Sequence, residues 1–497
     1  MKKLKQEIIL LIVILLFALF LRVYSLGKPP LWIDEAISAN VAKNILGTRL
    51  PYLDSGLLYN RAYLFHYIQA FFMLFGQNEF FSRFPSVIFG MLTILLAYFI
   101  GKEYSKKGGI ISALFFSVFY LEVFFSRQAR FYQLFQLAFF VCLYFLYKSK
   151  ENGKENKKYL YLSLICFFIA WDTQIEALVL APFIILHILI YNNQKWLAVF
   201  PTIPLVLKFL PVVGLSGGIT EQATNYAKDY FAFAYKMRYL LVLFIFGVIW
   251  SYIEIPSNLV TLQSGISNRH SRTKGDTING NVYINKKRLT LLLVLPSLIT
   301  LFSIFTLKSF ALRYSYFFVF PLILYSSLLL SFLYEKYGKI ILIVLIAVLL
   351  YPSNLFFPNY VNVIKPVDYN LRDYSAPYTD YKSVPDDLIV NMRNSTLVSL
   401  FSADFEFYIK KPDLVVPFTM TGMGTDTISM NSSKGLVDMY SGARIWQGEK
   451  ISKPYYVTAD SFSISKLKSF QSDKFNTLVE NCSVSYNSYD LKIYYCS

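Results

Sequence analysis

Long apolar runs recur through residues 1–358 and then cease. A membrane-crossing helix needs roughly 20 mostly apolar residues. On that ruler the runs fall at 8–26, 84–100, 110–123, 131–147, 159–171, 176–191, 196–214, 239–255, 289–307, 311–333 and 340–356. The pattern predicts an all-α polytopic membrane domain over 1–358 with about 11 transmembrane helices. From 359 to 497 the pattern turns polar and alternates short apolar runs with helical stretches, as a soluble α/β domain does. Helices are expected at 378–391, 403–410 and 461–470, and strands at 396–401, 414–417, 455–458, 476–484 and 491–495.

The connection between the first two runs, 27–83, is far longer than ordinary loops. Its amphipathic stretches 36–46 and 63–75 suit helices lying on a membrane surface. Lys and Arg cluster at the N-terminus (Lys2, Lys3, Lys5), at Lys102, Lys106 and Lys107, between Lys148 and Lys158, and in 261–288. By the positive-inside rule these segments are cytoplasmic, which places the 27–83 loop and everything after about residue 357 outside. The first run exceeds a signal-peptide core and lacks an A-x-A-like cleavage site, so a retained helix is expected.

Composition agrees with a bilayer protein: 55% hydrophobic, 16% charged, mean hydropathy +0.44. The net charge of +17 is no nucleic-acid footprint, because 363–497 holds 14 basic against 15 acidic residues and the excess lies in the loops of the membrane part. Cys142 and Cys166 fall in apolar runs as packing residues. Cys482 and Cys496 bracket the last strand pair, where either a disulfide or two thiols would fit. No zinc-ligand spacing or internal repeat is present, and neither a metal nor another cofactor is expected.

The chemistry concentrates in the outer loops. Trp32-Ile33-Asp34-Glu35 puts two carboxylates just after the first span, followed by Tyr59, Arg61 and His66. A second loop carries Ser126-Arg127-Gln128-Ala129-Arg130-Phe131-Tyr132, in which Arg127 and Arg130 share one helix face and could grip a phosphate bidentately. Lys308 and Arg313 mark the start of the tenth run. Bland alternatives stand beside each: the acids as helix caps, the cations as lipid anchors, His66 as a packed ring, Glu79 with Arg83 as an i,i+4 pair. Asp172 and Glu176, near an outer turn, would line a groove or face water.

These motifs, with Tyr59-Asn60-Arg61, His66-Tyr67 and 75–90, resemble in order and spacing the N-terminal half of GT-C glycosyltransferases. The likeness is to the group related to protein O-mannosyltransferases and the lipid A aminoarabinose transferase. It covers about residues 8–190, with Arg313-Tyr314 and the α/β tail beyond it. The resemblance implies transfer of a sugar, with inversion, from a polyprenyl-phosphate donor to a protein, glycolipid or polysaccharide acceptor on the outer face. It implies Asp34 as general base, with Glu35 orienting Asp34 or the acceptor. A departing lipid phosphate needs fixed cations, for which Arg61, Arg127, Arg130 and Arg313 are the candidates. Tyr59, His66, Tyr132 and Lys308 are expected as further substrate contacts. Two departures stand out: many relatives carry His-Pro-Pro or Lys-Pro-Pro where this chain has Asn60-Arg61-Ala62-Tyr63, and many carry Asp where it has Tyr132. The competing class is a transporter or flippase of lipid-linked sugars. Such a protein would place ionisable groups mid-span, whereas here they gather at span ends.

Overall fold

The computed structural model describes residues 2–151, 154–209, 234–235, 237–253, 274–306, 312–338, 343, 379–400, 403–416, 429–432, 435–438, 440–460, 464, 469–488 and 490–497. Apolar runs form the helices α1 (Lys2–Val23), α2 (Ile33–Thr48), α3 (Tyr63–Met73), α4 (Glu79–Tyr104), α5 (Lys106–Val118), α6 (Tyr120–Phe125), α7 (Tyr132–Lys148), α8 (Lys157–Thr173), α9 (Leu180–Tyr191), α10 (Thr202–Phe209), α11 (Arg238–Ile253), α12 (Lys274–Thr306) and α13 (Val319–Tyr337). Among the described residues three stretches are long and apolar enough to cross a membrane: Gln6–Val23, Glu79–Tyr104 and Ser315–Tyr337. Ile175–Tyr191 and Arg238–Ile253 are shorter apolar helices.

Several expected spans are interrupted. The run 110–123 breaks at Phe119, whose extended backbone (ψ 128°) separates α5 from α6. The run 196–214 begins as a 3-10 turn, Lys195–Val199, before α10. The segment 261–288, expected as a loop, is already helical from Lys274, because α12 continues well before its apolar part. The expected span 340–356 lies outside the described residues except for residue 343.

α4 and α5 pack closely enough that a Cβ on Gly101 would sit 2.8 Å from the Gly108 carbonyl oxygen, so only glycine serves there. The central helix α7 is buried along nearly its whole length, with Phe135, Phe139 and Phe140 in one continuous core with Phe317 and Phe320. The run 36–46 does lie in a helix, α2, but not on a surface: Ala36, Ala39, Ala42 and Ile45 are all buried. Its small residues let neighbouring elements approach on every side. α3 fits the amphipathic expectation, burying Phe65, His66, Gln69 and Met73 and exposing Leu64, Tyr67 and Phe71.

The described residues after 378 build a sheet of eight strands: β3 (Thr396–Ser399), β4 (Leu414–Val415), β5 (Ser429–Ser432), β6 (Gly435–Asp438), β7 (Arg444–Ile445), β8 (Tyr455–Asp460), β9 (Ser483–Asn487) and β10 (Leu491–Cys496), in the order β5-β6-β7-β4-β3-β8-β10-β9. A two-residue hairpin, β1 (Lys150–Glu151) with β2 (Lys154–Glu155), stands apart. β3 runs parallel to β4 and β8 at the sheet centre, and its consecutive Leu397 and Val398 enter cores on opposite faces, as a strand covered on both sides requires. Helices α14 (Asp386–Arg393) and α15 (Ala403–Tyr408) supply Met392 and Phe405 to one core, and α16 (Ser469–Val479) supplies Phe475 and Leu478 to the other.

The helix expected at 378–391 is cut by Pro385 into a 3-10 turn, Tyr381–Ser383, and α14. Residues 476–479, expected in a strand, end α16 instead, and the strand starts at Ser483. Most of the helix expected at 461–470 lies outside the described residues. Cys482 and Cys496 are joined as a disulfide, which settles the alternative in favour of the bond.

Candidate functional site

The site forms where the start of α2, the turn before α3 and the loop between α6 and α7 converge. Trp32 precedes α2, and Asp34 and Glu35 occupy its first turn, where the unpaired amide groups of a helix favour negative charge. Glu35 reaches back to accept from the Trp32 N–H at 3.3 Å, the return half of a capping box.

The two adjacent acids have different surroundings. Glu35 is fully buried and takes a bidentate fork from Arg83, Nε to Oε1 at 2.9 Å and Nη2 to Oε2 at 2.7 Å, while the Ala129 N–H donates to Oε1 at 2.7 Å. Arg83 spends its remaining donors on the carbonyls of Leu26, Pro29 and Pro30 at 2.8–2.9 Å. Arg83 therefore pairs with Glu35 and not with Glu79, as an i,i+4 reading would have it. Glu79 turns to Lys382 at 2.9 Å and to the Tyr408 hydroxyl at 3.2 Å. Wholly buried, Glu35 has no surface to offer an acceptor; it knits the three segments together beneath Asp34.

Asp34 keeps 21% of its side chain exposed, so it alone of the pair meets solvent or substrate. Its Oδ2 lies 3.9 Å from Arg130 Nη2. Arg130 Nη1 donates to the Asp34 carbonyl at 3.0 Å and to Ser38 Oγ at 2.7 Å. Ser38 lies one helical turn after Asp34, on the same face. The Arg130 guanidinium also sits 4.5 Å above the Phe131 ring and hydrogen-bonds the Tyr59 hydroxyl.

Arg127 is placed otherwise. Its Nη1 donates to the carbonyls of Leu21, Arg22 and Tyr24 at 2.8–3.0 Å, closing the C-terminal end of α1, where a cation offsets the helix dipole. Arg22, also fully buried, donates to the carbonyls of Ala18, Phe116 and Ser117. Gly90 makes room for this crossing, since a Cβ there would lie 2.5 Å from Ser126 Cβ.

Arg61 is exposed at the turn before α3. His66 is buried one turn into α3, with Tyr59 edge-on at 5.2 Å. Its Nδ1–H donates to the Ala62 carbonyl at 2.8 Å, while Nε2 finds no partner among the described residues. Burial, aided by Arg130, pulls its pKa down to about 3, so the ring is neutral in ordinary buffers. Tyr132 opens α7, buried, with its ring 5.7 Å from the Arg130 guanidinium. Arg313 belongs to the 3-10 stretch Leu312–Phe318, but its side chain lies outside the described ones, as does the whole of Lys308.

The later part of the chain closes over this region. The Tyr408 hydroxyl accepts from the Leu31 N–H at 2.6 Å, Lys382 Nζ donates to the Gly27 carbonyl at 2.9 Å, and the Tyr440 carbonyl accepts from the Ser55 N–H at 3.0 Å. The charges of Asp34 and Arg130 both act on the Tyr440 phenol. These partners lie more than 300 residues from the first loop, and nothing local in the sequence marks them. Only Ser38, by its i,i+4 spacing from Asp34, carried a usable signal. Among the described residues no group of three or more His, Cys, Asp or Glu side chains could hold a metal ion.

The model of the dolichyl-phosphate-mannose-protein mannosyltransferase family matches residues 60–215. ArnT from Cupriavidus metallidurans in the apo state superposes with a TM-score of 0.58 at 10% identity, over 99% of this chain and 98% of that one. The same protein bound to undecaprenyl phosphate gives 0.56 at 10% identity, over 98% and 97%. The Archaeoglobus fulgidus oligosaccharyltransferase gives 0.51 at 12% identity, and the match spans 80% of this chain but only 61% of that one. Sequence comparison with curated proteins finds no match. The chain has the GT-C glycosyltransferase fold, as the loop motifs implied.

Proposed function

We propose that the protein is an integral-membrane glycosyltransferase that moves a sugar from a polyprenyl-phosphate donor to an acceptor on the outer membrane face, with inversion at the anomeric carbon. The observation that carries this reading is the partly exposed Asp34 carboxylate beside Arg130 in a GT-C fold. Support also comes from the family model over residues 60–215 and from a fold relative that binds undecaprenyl phosphate.

The acceptor hydroxyl approaches Asp34, which takes its proton as the oxygen attacks the anomeric carbon. The bond from that carbon to the phosphate oxygen breaks, and the lipid phosphate leaves with the electron pair. Arg61, exposed at the rim, meets the growing phosphate charge, with Arg130 and Arg313 as further cations. Arg127 acts from behind, by fixing the end of α1 against the loop that carries Arg130. Glu35 orients Asp34 through its buried pair with Arg83, Tyr59 and Lys308 contact substrate, and the buried His66 and Tyr132 support these contacts from behind.

In this reading the chain is a multi-pass plasma-membrane protein with a cytoplasmic N-terminus. Residues 1–358 form the membrane domain and 359–497 an extracytoplasmic domain that selects the acceptor, whether protein, glycolipid or polysaccharide. The test is a panel of labelled polyprenyl-phosphate sugars offered to the purified chain in sealed vesicles with a mixed acceptor extract. Label appearing on acceptor supports the enzyme. Label crossing the bilayer still attached to its lipid, with none on acceptor, would favour a flippase instead.

A further inference from the structure

Three consecutive backbone N–H groups at the start of α3 end on one distant residue, Asp172, at the end of α8. Ala62 N–H donates to its main-chain oxygen at 2.8 Å, Tyr63 N–H to Oδ1 at 3.1 Å and Leu64 N–H to Oδ2 at 3.1 Å. The first amides of a helix have no acceptor inside the helix, and the residue just before it ordinarily supplies one from its side chain. Here that residue is Ala62, which has no such atom and lies in the left-handed region (φ 51°, ψ 47°). An L-residue keeps that backbone only where its surroundings hold it.

The surroundings are two-sided. Asp172 takes the amides, while the Ala62 carbonyl accepts both the His66 N–H at 3.1 Å and the His66 Nδ1–H at 2.8 Å. The preceding Tyr59-Asn60-Arg61 is thereby held, with Tyr59 hydrogen-bonded to Arg130 and Arg61 exposed. Proline, whose ring locks φ at a negative value, could not take the left-handed conformation of Ala62. In a chain with Ala62-Tyr63, the carboxylate of α8 stiffens the turn from outside. Both carboxylate oxygens of Asp172 thus sit on backbone amides of the turn.

We propose that Asp172 is a positioning residue that fixes the turn before α3 and, through it, holds Arg61 at the donor phosphate. The inference rests on the reading of Arg61 given above, and the test separates the two. The purified full-length chain is titrated with undecaprenyl phosphate as wild type, Asp172→Ala, Asp172→Asn, Arg61→Ala and Asp172→Ala with Arg61→Ala, and amide exchange is followed over 60–66. Asp172→Ala is expected to weaken undecaprenyl-phosphate binding about fivefold or more and to speed exchange at 62–64. Asp172→Asn, which keeps one acceptor oxygen, recovers part of both. The double variant binds no more weakly than Arg61→Ala alone, because two changes acting through one group do not add. Additive losses, or slow exchange at 62–64 without the carboxylate, would overturn the proposal. Unchanged binding in Arg61→Ala, with exchange released in Asp172→Ala, would instead remove Arg61 as the phosphate ligand and refute the second half of the proposal alone.

Discussion

Arg83 and Glu35, 48 residues apart, form a bidentate ion pair with both side chains almost entirely out of solvent. Arg83 also holds three carbonyls of the segment between α1 and α2, so one cation sets the path of the chain into the candidate base. Removing one partner leaves an uncompensated buried charge, which costs about 3–5 kcal/mol. Glu35→Ala and Arg83→Ala should each sharply lower the unfolding temperature in detergent, whereas Glu35→Met with Arg83→Met should be less damaging than either alone. A double variant as unstable as the sum of the singles would contradict the pairing.

The neutral ring of His66 has a pH signature. Its folded pKa of about 3 lies below the ordinary value of 6.5, so below pH 6.5 the unfolded chain binds a proton that the folded chain refuses. This ring therefore costs the fold stability as the solution is acidified from 6.5 toward 3. His66→Gln should be less stable than wild type at pH 7, and the gap should narrow by about 2 kcal/mol at pH 5. Thermal unfolding at the two pH values checks this. An equal gap at both would mean that the ring titrates normally.

Glu406 of α15 hydrogen-bonds Asp54 of the first loop, with Lys411 and Asp438 also facing it. Asn44 donates to the same Asp54 carboxylate, and Lys411 Nζ to its carbonyl at 3.4 Å. Burial first, and Asp54 second, push the Glu406 carboxyl up to about 10. An acid raised in this way keeps its proton when docked, so docking of the first loop onto α15 weakens as pH rises from about 4.5 toward 10. Amide exchange over 50–58, corrected for intrinsic rate, should show protection falling from pH 5 to pH 8 in wild type and staying flat in Glu406→Gln. Parallel slopes in both proteins would remove Glu406 from the contact.

The Cys482–Cys496 bond closes a 14-residue separation across β9 and β10. Loops of this size gain roughly 3 kcal/mol from the link. The double change to serine should lower the unfolding temperature of the sheet while leaving undecaprenyl-phosphate binding at the distant loops intact. Loss of binding alongside stability would show that the sheet supports the site.

The position of Asp34 was legible because it is local. Two acids behind a tryptophan and before a helical run describe a helix start, and the structure places them at the start of α2. The division of labour between Asp34 and Glu35 was not legible, because burial of Glu35 is decided by Arg83 and by the Ala129 amide 94 residues on. Arg127 and Arg130 looked equivalent at i,i+3. Only the nearby end of α1 makes the first a cap and leaves the second facing Asp34. In the polar tail β3, β4, β8 and β10 stood out by their runs of Leu, Val, Ile and Tyr, but β7 is two residues long, held by its neighbours and not by its own pattern.

In the proposed mechanism Asp34 removes the proton from the acceptor hydroxyl. Transfer from the donor that the vesicle panel identifies should be measured for wild type, Asp34→Asn and Asp34→Glu, with undecaprenyl-phosphate affinity measured on the same preparations. The account predicts that Asp34→Asn keeps its affinity and loses transfer by about 100-fold or more, with Asp34→Glu recovering part. Transfer by Asp34→Asn at the wild-type rate would contradict it.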